Sequence, residues 1–192
     1  MLGVVLCGGQ SSRTGEDKGL LQQTGKSFAQ TARDKLETLG LRVIVSINKS
    51  QEQEYSLIFP PEMLIIDEEP GDAKGPLLGI VSCHLHHTAE DLFVLACDLP
   101  LMDIEMLRVL AKKYYQFPGA SVYLFANNGE PEPLCGIYTA QALSSVQDML
   151  EKGNLTKNSM KFVLQNLVVD SIELQEQQKI FFKNFNNPTD LI

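Results

Sequence analysis

Short apolar runs alternate along the chain with longer amphipathic stretches, a pattern that predicts an α/β fold. Residues 2–7 form a continuous apolar run, as a parallel strand does when both faces of its sheet are covered. Residues 42–47, 63–67 and 92–97 read as further strands. Ser27-Phe28-Ala29-Gln30 has the form of a capping box, opening a helix that sets Phe28, Ala32, Leu36 and Leu39 on one stripe and stops at Gly40. Residues 51–57 predict a short polar helix before Pro60-Pro61. Pro76 suits the first turn of a helix running to about His87, and Asp103 suits the cap of one that turns Ile104, Leu107, Leu110, Ala111 and Tyr114 inward. Beyond Pro118-Gly119 two strands are expected at 121–126 and 134–138, joined by the turn-rich residues 127–131. Helices follow at about 140–151 and 159–167, and residues 168–174 and 180–183 read as a last pair of strands.

No repeat, low-complexity tract or long linker interrupts this order. With 192 residues, 44% of them hydrophobic, one domain can bury about two-thirds to three-quarters of its unfolded surface, so residues 1–192 are expected to form a single domain. The first half, to about 117, looks like a doubly wound nucleotide-binding unit, whose ligands bind beyond the carboxyl ends of the strands. Residues from about 118 to 192 would form the wall for a second substrate.

The net charge of −8 argues against nucleic acid and anionic lipid surfaces, because both are bound through basic surfaces that release counterions. No apolar run approaches the roughly 18 to 20 residues needed to span a bilayer, and Met1 leads into Leu2-Gly3-Val4 without a basic leader, so a cytoplasmic protein is expected. Cys7, Cys83, Cys97 and Cys135 lie far apart with no CxxC pair, which predicts packed thiols in place of disulfides or a zinc site. A small anionic substrate stays compatible with the acidic chain if one cleft concentrates backbone N–H groups, a few cations and a metal ion.

Residues 6–18 contain the components of such a cleft. Gly8-Gly9 lets the backbone turn sharply and approach a ligand, Arg13 offers a planar fork for two phosphate oxygens and Lys18 a movable point charge. An ordinary glycine-rich connection with two solvated cations would share this composition. The spacing is not that of a P-loop, since Lys18 follows Asp17, and Gly25-Lys26-Ser27 has Leu20 where the first glycine belongs; no G-x-G-x-x-G occurs. Asp98 directly follows the apolar run 92–97, where a carboxylate faces the cleft, and one aspartate with water and phosphates suffices for magnesium. Asp103 is better placed to cap the next helix, which leaves Asp98 for chemistry. Asp67 stands in the same relation to residues 63–66, within an acidic stretch that could equally be a solvated turn. Gly79, on the first turn of the helix after Gly75-Pro76, would admit close approach of a base or ribose, or simply close helix packing. His84, His86 and His87 fit a helix C-terminus better than a metal site.

Together these residues resemble the molybdenum cofactor guanylyltransferase family, the MobA proteins, over essentially the whole chain. Leu6-Cys7-Gly8-Gly9 with Arg13, Gly15 and Lys18 looks like the family's L-x-G-G-x-S-x-R-x-G-x-x-K, and residues 75–79 like its G-P-L-x-G. Cys97-Asp98-Leu99-Pro100 is similar to its C-D-x-P, and residues 184–188 to its closing N-x-N-T-P. The resemblance implies a three-layer α/β/α sandwich of the nucleotide-diphospho-sugar transferase type, with a mainly parallel, Rossmann-like sheet and an antiparallel strand in the second half. It implies GTP and molybdopterin, or Mo-molybdopterin, as substrates, magnesium (Mg2+) as cofactor, and molybdoenzyme maturation proteins as candidate partners. By carry-over, Leu6, Cys7, Gly8 and Lys18 contact GTP, Asp67 helps hold its nucleoside part and Asp98 binds the GTP-bound magnesium, with Gly9 and Gly79 counted among the binding residues. Arg13, Lys18 and Asp98 would carry the catalysis, with Asn184 and Asn186 towards the pterin. Related cytidylyltransferases usually carry A-A-G at positions 7–9, so the resemblance favours GTP over CTP.

The chain departs from that pattern at several points. Thr14 replaces an apolar residue, Ser46 takes a position where the family can place a nucleotide-contacting asparagine, and Glu132-Pro133 replaces a His-Pro of some members. One further acidic residue lies between Asp67 and Gly75. Two other readings share much of this pattern: cytidylyl or sugar-phosphate nucleotidyl transfer, and a non-catalytic nucleotide-binding maturation factor.

Overall fold

The computed structural model describes residues 1–8, 17–68, 73–155, 157 and 159–185. In chain order the strands are β1 (Leu2–Leu6), β2 (Gln22–Gln23), β3 (Lys26–Ser27), β4 (Val43–Ile47), β5 (Leu64–Ile66), β6 (Leu92–Ala96), β7 (Val122–Asn127), β8 (Glu130–Tyr138) and β9 (Val169–Glu173). The α-helices are α1 (Phe28–Thr38), α2 (Glu52–Tyr55), α3 (Pro76–His86), α4 (Ile104–Gln116), α5 (Ala140–Glu151) and α6 (Met160–Leu164). Seven strands form one sheet in the order β5-β4-β1-β6-β8-β7-β9, and β2 and β3 make a small separate hairpin. Within the large sheet β8 alone runs against its neighbours, so the sheet is mainly parallel.

Period-two alternation in the strands divides the core into two layers. Leu2, Val4 and Leu6 of β1 pack with Leu77, Ile80 and Val81 of α3 and with Leu143 and Val146 of α5. Val5 and Cys7 face the other way, towards Phe28, Ala32 and Leu36 of α1 and Leu107 and Leu110 of α4. The result is the expected α/β/α sandwich. All four cysteines are buried and free, and no helix among the described residues is long and apolar enough to cross a membrane.

Local signals set the helix starts. Ser27 Oγ accepts from Gln30 N at 3.2 Å while Gln30 Oε1 accepts from Ser27 N at 2.9 Å, completing the predicted capping box. Asp103 Oδ1 accepts from Glu105 N at 2.7 Å, so it caps α4 as expected. Two sequence expectations are corrected. Strand β8 begins at Glu130, through Pro131 and Pro133, because its pairing with β6 ends at Leu95↔Cys135; residues 130–134 have β7 on one side and an open edge on the other, where proline's missing N–H costs nothing. Residues 180–183 add no strand: Glu176–Phe182 is a 3-10 helix that lays Phe182 against Phe125, ring centroids 5.4 Å apart.

Candidate active site

Strands β5, β4, β1 and β6 stand in the order third, second, first, fourth, so the chain reverses direction of progress across the sheet at β1, and a crevice opens there beyond the carboxyl ends. The ladder brings those ends level. Cys7 N donates to Ser46 O at 2.9 Å, Cys97 N to Leu6 O at 3.1 Å and Asp67 N to Ile47 O at 2.8 Å. Gly8, Asp67 and Asp98, each just past its strand, therefore meet at one rim with Ser46.

That rim is a cleft. Leu6, Cys7, Gly8, Lys18, Asp67, Gly79 and Asp98 all line it, seven of the residues singled out from sequence. Gly9, Arg13 and Asn186 lie outside the described residues. Asn184 is exposed, and the next residue ties its segment to the site, since Phe185 N donates to Asp98 O at 3.1 Å. The second half contributes Leu134, from the open edge of β8.

Lys18 and Asp98 form the polar centre, with Nζ 3.7 Å from Oδ2 and side-chain exposures of 33% and 18%. Burial pushes the Asp98 carboxyl above its usual range, and the Lys18 ammonium pulls it part of the way back. Asp98 Oδ1 is buried with no hydrogen-bond partner among the described residues. An orphaned carboxylate oxygen in a cleft suits a cation that arrives with a ligand. The turn bearing Asp98 is held from below by Lys35 of α1, whose Nζ donates to Pro100 O at 2.7 Å and whose own pKa burial lowers to about 8.

At the other side of the cleft, Ser46 Oγ donates to Asp67 Oδ1 at 2.8 Å. Burial raises the Asp67 pKa to about 6 against the pull of this bond. Two glycines make room for the pair: a Cβ on Gly8 would lie 2.5 Å from Asp67 Oδ2, and one on Gly79 2.5 Å from Ser46 Oγ. At Gly79 the structure thus shows close packing of the helix against a side chain of the site.

Sequence reasoning missed Asp17, which lines the cleft beside Lys18 and accepts hydrogen bonds from Gln51 and Tyr55. No spacing rule connects those positions, which the fold alone brings together. The histidines do not join the site. His84 Nε2 pairs with Ser144 Oγ at 3.1 Å and His86 Nε2 with Glu68 Oε1 at 2.9 Å. Among the described residues no group of three His, Cys, Asp or Glu side chains could hold a metal by itself. The described lining residues set three carboxylates against one cation, Lys18. A polyanion therefore needs further positive charge to enter.

The MobA-like NTP transferase domain model matches residues 3–169. The chain is 31% identical over 192 residues to a probable molybdenum cofactor guanylyltransferase from Geobacillus sp. (strain WCH70), covering 99% of this chain and 95% of that protein. It is 31% identical over 191 residues to a protein of the same name from Methanothermobacter thermautotrophicus, covering 97% and 95%. The crystal structure of molybdopterin-guanine dinucleotide biosynthesis protein A from Archaeoglobus fulgidus superposes with a TM-score of 0.78 at 23% identity, over 100% of this chain and 95% of that one, and so shares its fold. With a family model matching most of the chain and this likeness along nearly its whole length, the chain belongs to the family of MobA-like NTP transferases and is a nucleotidyltransferase.

Proposed function

We propose that this protein transfers GMP from GTP to the terminal phosphate of molybdopterin, or of Mo-molybdopterin, giving the guanine dinucleotide cofactor and pyrophosphate. The names of its relatives support the substrates. The observation that carries the chemistry is the meeting of Lys18 with Asp98, whose second oxygen is buried and unpartnered, at the carboxyl ends of β1 and β6.

A molybdopterin phosphate oxygen attacks the α-phosphorus of GTP, the bond to the β-phosphate breaks, and its electron pair leaves with pyrophosphate. The nucleophile is already ionised, so no general base is needed, and alignment and charge neutralisation supply the rate. Lys18 binds phosphate oxygens and neutralises charge that builds up on them, with Arg13 in the same role by its place in the motif. Asp98 would hold a magnesium ion, which would supply Lewis-acid neutralisation of the phosphate charge. Asp67 accepts a hydrogen bond from the nucleoside, and the close packing at Gly8 and Gly79 sets how near the nucleotide lies. Residues 1–117 serve as the nucleotide half of a single domain, and residues 118–192, with Leu134 at the rim and Asn184 and Asn186 in the closing motif, as the acceptor half.

Incubation with labelled GTP, magnesium and molybdopterin should yield the dinucleotide and pyrophosphate in equal amounts. Transfer from CTP in preference to GTP would replace guanylyl by cytidylyl transfer. Nucleotide binding without pyrophosphate release would identify a maturation factor that binds nucleotides and does not catalyse.

A further inference from the structure

Two of the carboxylates in the cleft differ in how their oxygens are used. Asp98 keeps an oxygen without a partner. Both oxygens of Asp17 are engaged among the described residues: Oδ1 accepts from Gly19 N at 2.8 Å and from Tyr55 Oη at 3.0 Å, and Oδ2 accepts from Gln51 Nε2 at 2.5 Å. All three donors are uncharged. An acidic residue beside the phosphate-binding lysine invites assignment as a second metal ligand, and bonds that tie each of its oxygens to the protein point elsewhere.

The Gln51 amide is engaged at both its nitrogen and its oxygen. Its NH2 group donates to Asp17 and to Cys7 O, the latter at 2.9 Å, and its oxygen accepts from Asn48 N at 2.8 Å. With both hydrogens and the oxygen engaged, only one orientation of the amide satisfies the network. Gln51 therefore ties the chain just before the glycine-rich loop to the chain just after it. Tyr55, wholly buried and stacked on Phe59 with centroids 6.0 Å apart, holds its hydroxyl from below. Burial, then Cys7, Cys97 and Asp17, push the Tyr55 phenol far above its ordinary range, so it stays a donor. Asp17 also caps the 3-10 turn Lys18–Leu20. Gly19 has no room for a side chain, since a Cβ there would fall 2.1 Å from Tyr55 Oη.

We infer that Asp17, Gln51 and Tyr55 are positioning residues that act through Lys18: they hold its backbone so that the ammonium stands opposite Asp98, and Asp17 binds no metal. This rests on the reading that the cleft takes a magnesium-nucleoside triphosphate. If it is right, loss of the clamp matters only while Lys18 is present, and a double-mutant cycle isolates such coupling.

The test measures affinity for MgGTP, MgCTP and magnesium pyrophosphate by calorimetry, and kcat and KM for whichever nucleotide reacts, in Tyr55→Phe, Gln51→Leu and Gly19→Ala, each with and without Lys18→Ala. Tyr55→Phe keeps the ring packing, and Gln51→Leu covers the case in which it fails to fold. Expected is a loss of nucleotide affinity of about tenfold in each single variant, the scale of a hydrogen bond to a charged group, shrinking to within about twofold in the Lys18→Ala background. Magnesium dependence should be unchanged by Tyr55→Phe. Losses of equal size in both backgrounds would overturn the clamp while leaving the proposed substrate standing, and a raised magnesium requirement in Tyr55→Phe would overturn the claim that Asp17 binds no metal. Binding of MgCTP and not MgGTP would overturn the substrate alone, with the cycle then read on MgCTP. Failure of the native protein to bind any of the three probes would overturn both.

Discussion

Lys18 Nζ lies 3.7 Å from Asp98 Oδ2, although the two residues stand on different loops and are joined by no sequence rule. The contact forms because β1 and β6 are neighbours in register, Leu6 beside Ala96, so the loops that leave them start at the same level. Both groups are partly buried, and one Asp98 oxygen has no hydrogen-bond partner among the described residues. A cation and an incompletely satisfied anion at one rim make a site for a ligand carrying both signs, as a metal-bound triphosphate does.

Asp98→Asn should reduce GMP transfer about 100- to 1000-fold, the usual scale for removing one electrostatic contribution at a reacting phosphate or acyl centre. The free protein should melt no lower than the native one, because burial already disfavours the ionised carboxyl. Transfer rates with magnesium and circular dichroism check the two halves. Turnover within a few-fold of native would mean that the metal is held elsewhere.

Lys18→Ala should weaken binding of MgGTP by about ten- to 100-fold, as loss of a charge-assisted hydrogen bond does. The rise in melting temperature that the nucleotide produces would shrink with it, since a ligand stabilises the native state in proportion to its binding. The Asp98 carboxyl, deprived of its counter-charge, would then protonate at higher pH than in the native protein. An NMR titration of that carboxyl in both proteins gives the sign.

The Asp67 pKa, raised to about 6 by burial, predicts opposite trends for the free and bound protein. The folded state holds the proton more tightly than the unfolded chain, whose aspartate titrates near 3.8. Its stabilising contribution is therefore complete below about 3.8 and is lost as pH rises through about 6, so the free protein gains stability from this group as pH falls from 7 to 5. Nucleotide affinity should change the other way, because the ionised carboxylate is the stronger acceptor for a hydrogen bond from the nucleoside. Asp67→Asn should flatten both profiles between pH 5 and 7; a native-like pH dependence of affinity in this variant would remove Asp67 from nucleotide binding.

Gly79→Ala places a methyl group 2.5 Å from Ser46 Oγ and should displace the hydroxyl from Asp67. Overpacking of this kind costs about 1–3 kcal/mol, or about 2–4 °C of melting temperature for each kcal/mol in a domain of this size. Adding Ser46→Ala removes the obstructing oxygen and should recover much of the loss. Calorimetric melting of the single and double variants tests this, and no recovery would place the strain at Leu6, the next nearest neighbour at 3.1 Å.

Much of the architecture was legible because it depends on neighbours in sequence. The capping box at Ser27, the Asp103 cap and Pro76 at a first turn are local hydrogen-bond and dihedral rules, and each holds. The apolar runs that became β1, β4 and β6 needed only the covering of both sheet faces to be read as parallel strands. Residues 180–183 were misread for the same reason: Ile180, Phe181 and Phe182 have strand propensity, but Gln178 Oε1 reaches back to Gln175 N at 2.9 Å, and the run turns into a helix that buries Phe182. The extra length of β8 was hidden by its prolines, whose tolerance depends on where β6 stops.

Residue chemistry alone marked a glycine turn with Lys18, and an aspartate ending an apolar run at position 98, as candidates for phosphate and metal chemistry. Which partner each side chain takes was decided by the order of the strands. Crossing from β1 to β4 to β5, then back to β6, lays four chain ends side by side, and only there do Ser46 find Asp67, and Gln51 and Tyr55 find Asp17. Hydrogen bonds act over about 3 Å in space and are indifferent to separation along the chain, so partners of this kind exist only once the sheet has formed.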